Sequence, residues 1–229
     1  MTECLKIVIG EMEKLLSGEN SGHDVAHAMR VYNMALRFCR DIPTANANIV
    51  AMVALLHDCD DRKIFGDAGT QSLPNASAIM RRAGVAESDA DYVRKIIGSI
   101  SFNKRMSGIM PISVEGEIVA DADMCDAIGA TGIVRCVQFG TSKGLPFFNP
   151  DVLPRDFHGD QYARSGATSM GVNHFFEKLL RIKDFCLTVP GRAEAAKRHQ
   201  IMVDFLAGYF AENNAPYQWH HMLDSYRVR

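Results

Sequence analysis

The sequence predicts an all-α protein built as a single helical bundle over residues 1–229. Apolar residues recur at helical spacing along most of the chain, and stretches that alternate with a period of two are scarce. The composition is 47% hydrophobic and 23% charged, which supplies enough apolar surface for one core. A chain of 229 residues lies within the size that one core supports, roughly 250 residues.

The apolar periodicity also places the individual helices. The expected segments are 2–16, one that begins after Gly22 and ends before Pro43, 45–58, 71–83, 87–99, 114–139 with a break near 129–132, 172–185 and 191–212. The third segment is apolar nearly all round, which is typical of a central helix covered by neighbours. Residues 140–171 are rich in Gly, Pro, Asp and aromatic side chains, which predicts a long loop of the kind that borders a site. The tail around Trp219 and His221 is expected to lie on the surface.

Charge and cysteine content exclude several classes of protein. The 25 basic and 27 acidic side chains leave a net charge of −2, which favours neither nucleic acid nor a membrane surface as a partner. The longest apolar run, 49–56, is far shorter than the roughly 20 residues of a membrane span. The start of the chain does not resemble a secretion signal, and the six cysteines form no Cys-x-x-Cys pair. We therefore expect a cytoplasmic protein with reduced thiols, as a monomer or homodimer.

Three clusters of polar residues interrupt otherwise apolar helices. The central helix ends in LLHDCDDRK at 55–63, and burying so many charges without a partner would be costly. His23 and His27 are four residues apart and therefore share a helix face, and a third cluster, EIVADADMCD, occupies 117–126. Imidazole and carboxylate together form a good site for a divalent first-row ion. The sequence therefore predicts one metal site shared by three helices.

The order and spacing of these clusters resemble the signature of the HD-domain metal-dependent phosphohydrolases. The motifs that carry the resemblance are HDxxHxxRV at 23–31, ALLHD at 54–58, DADxxDAIGAxG at 121–132 and NHFxxKLL at 173–180. Together they are similar to a subfamily of small bacterial-type HD hydrolases over residues 5–212, with the signature region at 20–130 and C-terminal helices at 172–212. Members of that subfamily include nucleoside triphosphate pyrophosphohydrolases.

The resemblance implies a set of metal ligands. These four are His27, His57, Asp58 and Asp123, holding Mn²⁺ or Mg²⁺, with Co²⁺, Ni²⁺, Fe²⁺ or Zn²⁺ as alternatives. Asp121 is the competing candidate for the last position. Asp123 is preferred because the Ala-Asp-x-Cys context fits the family and because small residues share its helix face. Asp121 would then accept a hydrogen bond from a ligating histidine or help to position water.

Other residues are expected to act on the substrate. Asp61 follows His57 by four residues and would orient or deprotonate the attacking water if the helix continues through it. The expected substrate-binding residues are His23, Arg30, Lys63 and Lys178. One departure from the family pattern is Ile100, at a position where many relatives carry a histidine.

The expected activity is hydrolysis of a (deoxy)nucleoside triphosphate to the monophosphate and pyrophosphate through a metal-activated water. Aromatic residues of the 140–171 loop, such as Phe147, Phe148 and Tyr162, could stack on the base. Two alternatives stay open at this point: a 5′-nucleotidase or phosphodiesterase of the same superfamily, and a module that senses a nucleotide without catalysis.

Overall fold

A computed structural model describes residues 2–18, 23–66, 72–155 and 171–227. Within these ranges the protein is helical and contains no β-strand, so the predicted all-α class is confirmed. The α-helices are α1 (Glu3–Leu16), α2 (Val25–Cys39), α3 (Ala47–Leu56), α4 (Arg62–Phe65), α5 (Pro74–Arg82), α6 (Glu87–Ser99), α7 (Phe102–Met106), α8 (Val114–Asp126), α9 (Gly129–Ser142), α10 (Gly171–Glu177), α11 (Val189–Glu212) and α12 (Tyr217–Asp224). A 3₁₀ helix covers Leu179–Phe185. No helix in the described ranges combines the length and the apolar character needed to cross a bilayer.

The chain forms two compact units, residues 1–123 and 124–229, and the boundary falls inside α8. Whether they make up the single domain expected from the chain length stays a prediction. In the first unit, α3 packs against α1, α2 and α6. All residues from Ile49 to Leu56 are buried, so α3 is the central helix that its uniform apolarity predicted.

The start of α3 is fixed by polar contacts. The side chain of Asn46 caps the helix by accepting hydrogen bonds from the backbone N–H groups of Asn48 and Ile49. The backbone N–H of Asn46 in turn donates to Glu115 of α8, at 3.0 Å, and the hydroxyl of Tyr92 donates to the same carboxylate. Glu115 is buried and thereby joins α3, α6 and α8.

The break expected near 129–132 is present between α8 and α9. Gly129 opens α9 with a φ of +76°, a conformation that favours glycine, and a Cβ at that position would lie 3.0 Å from the side chain of Arg198. Arg198 donates to the carbonyl of Cys125 at 2.9 Å, which satisfies a carbonyl in the last turn of α8. Asp126, fully buried, pairs with Arg135 at 3.1 Å.

The second unit has an aromatic core that the sequence did not predict. Phe147 contacts Phe175, Phe205 and Tyr209 edge to face, and Phe148 packs against Phe210 and Trp219. Both side chains are half-buried, so the expectation that Phe147 and Phe148 stack on a substrate base stays a prediction. Tyr162 lies outside the described residues.

The expected surface location of the C-terminal tail is wrong for Trp219, whereas His221 is exposed. Residues 217–224 form α12, which packs on α11, and Trp219 is fully buried. Its indole N–H donates to the carbonyl of Pro150 at 3.1 Å. Three short helices were missed because α4, α7 and α12 have only four, five and eight residues, too few to establish a helical period.

We predict that Trp219→Ala lowers the free energy of unfolding by about 3–5 kcal/mol, because the substitution leaves a cavity among aromatic rings. Urea denaturation followed by circular dichroism would measure the loss. The matched control is Tyr217→Ala in the same helix, where the side chain is exposed and a change within about 0.5 kcal/mol is expected. Equal effects of the two substitutions would contradict the burial of Trp219.

Candidate metal centre

The first ligand-bearing element is the start of α2. Asp24 is its N-cap and accepts a hydrogen bond from the backbone N–H of His27 at 2.7 Å. This cap places His27 in the first turn of the helix, and the imidazole is only 2% exposed. A histidine buried at a helix start needs partners for its ring nitrogens, and the Nε2 atom of His27 faces His57 and Asp58 just after α3.

The second element is the end of α3. The helix ends at Leu56, and His57 is its C-cap. The Nδ1 atom of His57 donates to the carbonyl of Ala54 at 2.8 Å, because a carbonyl oxygen can only accept. Neutral His57 therefore presents the lone pair of Nε2, which is the tautomer that a metal ligand requires.

The described side chains converge at one point. His27 Nε2 lies 3.2 Å from His57 Nε2, 3.2 Å from Asp58 Oδ2 and 3.4 Å from Asp123 Oδ1. His57 Nε2 lies 3.5 Å from Asp58 Oδ2 and 3.9 Å from Asp123 Oδ1. The structure thus brings together the four residues that the resemblance implied as ligands, and all four belong to the first unit.

These distances suit a shared ion. Two ligand atoms at about 2.0–2.3 Å from one ion lie about 2.8–3.8 Å apart for octahedral to tetrahedral angles. Four of the five separations fall in this range, and the fifth exceeds it slightly. Two imidazole nitrogens and two carboxylate oxygens also form a donor set that first-row divalent ions accept. The residues therefore fit a divalent metal ion.

The charge on Asp58 is stabilised by its neighbours. Burial alone would raise the pKa of Asp58, but the imidazoles of His57, His23 and His27 outweigh it and hold the pKa of this carboxyl well below its usual range. The ionised carboxylate accepts a hydrogen bond from His23 Nδ1 at 2.7 Å. His23 thus contacts a candidate metal ligand, whereas its expected role toward substrate stays a prediction.

The two aspartates of α8 are placed differently. Asp123 contributes to a ligand group with His27 and His57, and its side chain is 34% exposed. Asp121 is fully buried and belongs to neither of the two ligand groups formed by the described residues. The geometry favours Asp123 over Asp121 as the ligand, and the catalytic role of Asp121 stays a prediction.

The structure corrects the local geometry expected around Asp61. The helix does not continue through this residue, because α3 ends at Leu56 and a turn follows it. The backbone N–H of Asp61 donates to the carbonyl of Asp58, and the carbonyl of Asp61 accepts from Phe65 in α4. Asp61 therefore lies in the turn directly after the ligands, half-buried, rather than on the face of His57.

The remaining expected substrate contacts are spread along the chain. Arg30 is half-buried on α2, three residues after His27. The side chain of Lys63 lies outside the described part of the structure. Lys178 lies in the second unit after α10, where burial, reinforced by the charge of Lys178, lowers the pKa of His174 to about 3. The roles of these three cations stay predictions.

The residue that replaces a family histidine has a structural role. Ile100 is buried, and it lies with Ile96 and Pro111 around Gly116, the second residue after the start of α8. A Cβ at Gly116 would approach Ile96 and Pro111 to 3.1 Å, so the glycine allows close packing of α8 at this point.

Comparison with known proteins identifies relatives along nearly the whole chain. The HD domain family matches residues 25–128. The uncharacterized Bacillus subtilis protein YpgQ is 35% identical over 196 residues, which cover 85% of this chain and 86% of that protein. A structure of YpgQ in complex with ADP has a TM-score of 0.70 and 30% identity, covering 93% of this chain and 97% of the other.

Two further solved structures are similar. An HD-superfamily hydrolase from Bacillus thuringiensis has a TM-score of 0.72 and 33% identity, covering 94% of this chain and all of the other. A protein from Lactobacillus plantarum has a TM-score of 0.79 and 29% identity, covering 94% of this chain and 99% of the other.

We predict that His57→Ala and Asp58→Ala each abolish binding of a divalent ion, because each removes a donor from the centre of the cluster. The metal content of purified protein, measured by plasma mass spectrometry after loading with Mn²⁺ and desalting, would show the loss. Asp41→Ala is the matched control, since Asp41 is an exposed carboxylate of the same unit. Wild-type metal content in the Asp58 variant would contradict the predicted site.

Proposed function

This chain belongs to the HD-domain superfamily of metal-dependent phosphohydrolases, and we propose that it hydrolyses a nucleoside or deoxynucleoside triphosphate to the monophosphate and pyrophosphate. The observation that carries the proposal is the convergence of His27, His57, Asp58 and Asp123 in a partly open cluster. The complex of the relative YpgQ with ADP supports a nucleotide as the ligand class. The candidate ions are Mn²⁺ and Mg²⁺ first.

The exposure of one ligand, rather than the number of ligands, favours a catalytic over a structural metal. Structural ions are usually enclosed by four protein ligands, whereas catalytic ions keep a position open to water or substrate. His27 and His57 are nearly inaccessible, but one third of the Asp123 side chain is exposed. When bound, a divalent ion would lower the pKa of a water molecule and polarise the phosphoryl group.

The proposed reaction is a hydrolysis in which water is the only co-reactant. A water oxygen attacks the α-phosphorus, the bond from the α-phosphorus to the bridging oxygen breaks, and pyrophosphate leaves. Asp61, next to the ligands in the turn after α3, accepts the proton of the water. Arg30, Lys63 and Lys178 are proposed to bind phosphate oxygens, since guanidinium and ammonium groups offset their charge.

Product analysis separates this activity from its alternatives. The purified protein is incubated with Mn²⁺, Mg²⁺ or Co²⁺ and a panel of triphosphates, monophosphates and cyclic nucleotides, and phosphate and pyrophosphate are measured separately. The proposal expects pyrophosphate from triphosphates. Phosphate released from AMP or dAMP, with triphosphates untouched, would identify a 5′-nucleotidase instead. Hydrolysis of a cyclic nucleotide would identify a phosphodiesterase, and nucleotide binding with no product under any metal would support a sensing module.

The bond that breaks can be determined with labelled water. In H₂¹⁸O, attack on the α-phosphorus places the label in the nucleoside monophosphate, and mass spectrometry of the products would detect it there. Label in pyrophosphate would mean attack on the β-phosphorus and would overturn this part of the proposal.

We predict that Asp61→Asn keeps the metal and slows turnover by about 10²-fold or more, as expected when a proton acceptor is lost. Asparagine keeps the size and the hydrogen-bonding oxygen, so the turn between α3 and α4 should persist. Metal content and kcat are measured on the same preparation, with Asp41→Asn as the exposed control. Hydrolysis at the wild-type rate would exclude a catalytic role for Asp61.

A further inference from the structure

Asp60 is a buried carboxylate that belongs to neither ligand group of the metal centre. It is 3% exposed and lies two residues after Asp58. Its two oxygens accept hydrogen bonds from the backbone N–H groups of Asn75 and Ala76, both at 2.9 Å. Asp60 therefore contacts the start of α5, fifteen residues further along the chain.

These bonds replace a missing helix cap. The N-cap residue of α5, Leu73, provides no side-chain hydrogen bond and has a φ of +48°. The first backbone N–H groups of a helix have no partner within the helix, and they favour a negative charge. Asp60 satisfies two of them and thereby fastens α5 to the turn after α3.

A third hydrogen bond joins the same two segments, this time from a side chain of α5 to the backbone of the turn. The side-chain amide of Asn75 donates to the carbonyl of Cys59 at 2.9 Å. The turn is also closed internally, because the N–H of Cys59 donates to Leu56 and that of Asp61 donates to Asp58. Asp60 and Asn75 together, hereafter the clamp, join the turn to the start of α5 through three hydrogen bonds.

We propose that the clamp positions the metal ligands His57 and Asp58 without contacting the ion or the substrate. The reason is that the turn held by the clamp is the segment from which both ligands project. His57 and Asp58 lie between Leu56 and Cys59, whose carbonyls accept hydrogen bonds from the Cys59 N–H and from the Asn75 side chain. Neighbours that orient metal ligands typically change metal affinity 10- to 100-fold when they are removed. This inference rests on the metal centre of the proposed function.

If the clamp only stabilised the fold, its loss would not change the affinity for a metal ion more than the loss of another helix cap. Asn46 provides such a cap as a matched control. Asn46 also accepts two backbone N–H groups at a helix start, those of Asn48 and Ile49, and it lies in the same unit. It caps the end of α3 that lies away from the ligands. Loss of the Asn46 cap should therefore lower stability without changing the position of His57 or Asp58.

The test compares Asn75→Ala, Asp60→Asn and Asn46→Ala in metal-free protein. Binding of Mn²⁺ is measured from the electron paramagnetic resonance signal of the free ion, and folding is checked by circular dichroism and thermal melting. Asn75→Ala removes only the bond to Cys59 and leaves both Asp60 bonds in place, so it tests the clamp even if Asp60→Asn fails to fold.

We expect the Kd for Mn²⁺ to rise at least 10-fold in Asn75→Ala and more in Asp60→Asn. In Asn46→Ala it should stay within about twofold, although its melting temperature falls as far as that of Asn75→Ala. Unchanged Mn²⁺ affinity in folded Asn75→Ala, with normal binding by wild type, would overturn the positioning role alone. Absence of Mn²⁺ binding by wild type would instead overturn the metal centre on which the inference rests.

Discussion

The structure of the first unit depends on one constraint, a carboxylate that must stay ionised at the buried end of an apolar helix. Every residue of α3 from Ile49 to Leu56 is buried, and Asp58 follows after a single residue. An isolated buried charge would be strongly unfavourable, and such groups usually become neutral unless they are paired. The imidazoles of His57, His23 and His27 around Asp58 provide the compensation. His23 lies two residues before the start of α2, and His27 lies in the first turn of that helix. The end of α3 and the start of α2 are therefore held together by the same interaction that forms the metal centre.

Three buried acids of this unit, Asp58, Asp60 and Glu115, fall into two kinds, according to what neutralises them. Asp58 is bonded to histidine rings, and these remain available as ligands. Asp60 and Glu115 instead accept backbone N–H groups, from α5 and from the start of α3 respectively. Burial alone would raise the pKa of Glu115, but hydrogen bonds to the carboxylate, chiefly from backbone N–H groups, outweigh it and lower that pKa. The second kind uses its charge to fix helix ends, whereas the first lies among histidine rings that can bind a cation with it.

Sequence reasoning succeeded where the signal was local or belonged to a known motif, and it failed where partners are distant along the chain. Uniform apolarity followed by His57 and Asp58 indicated both a central helix and a site at its end. The role of Asp60 depends on backbone groups of residues 75 and 76, and nothing in the spacing of a run of acids distinguishes a ligand from a helix cap. Trp219 appeared to lie in a polar tail because its neighbours are hydrophilic, whereas its burial depends on Pro150 and on aromatic residues of other segments. The ligand set itself was predicted from the family resemblance. A family motif indicates which residues lie close together in the fold, whereas helical periodicity only indicates which residues share a helix face.

The four ligand side chains differ in their exposure to solvent. The side chains of His27, His57 and Asp58 are each less than one tenth exposed, so solvent hardly contacts the two rings and the carboxylate. Asp123 differs from them, because α8 presents its carboxylate with one third of the side chain accessible. Solvent therefore reaches the cluster at the α8 carboxylate, while the side formed by α2 and α3 is closed. An ion held in such a half-open set would keep coordination positions on the accessible side, which hydrolysis requires because both water and the phosphate group must reach it. The same difference in exposure argues against a purely structural ion, for which full enclosure by the protein would be expected.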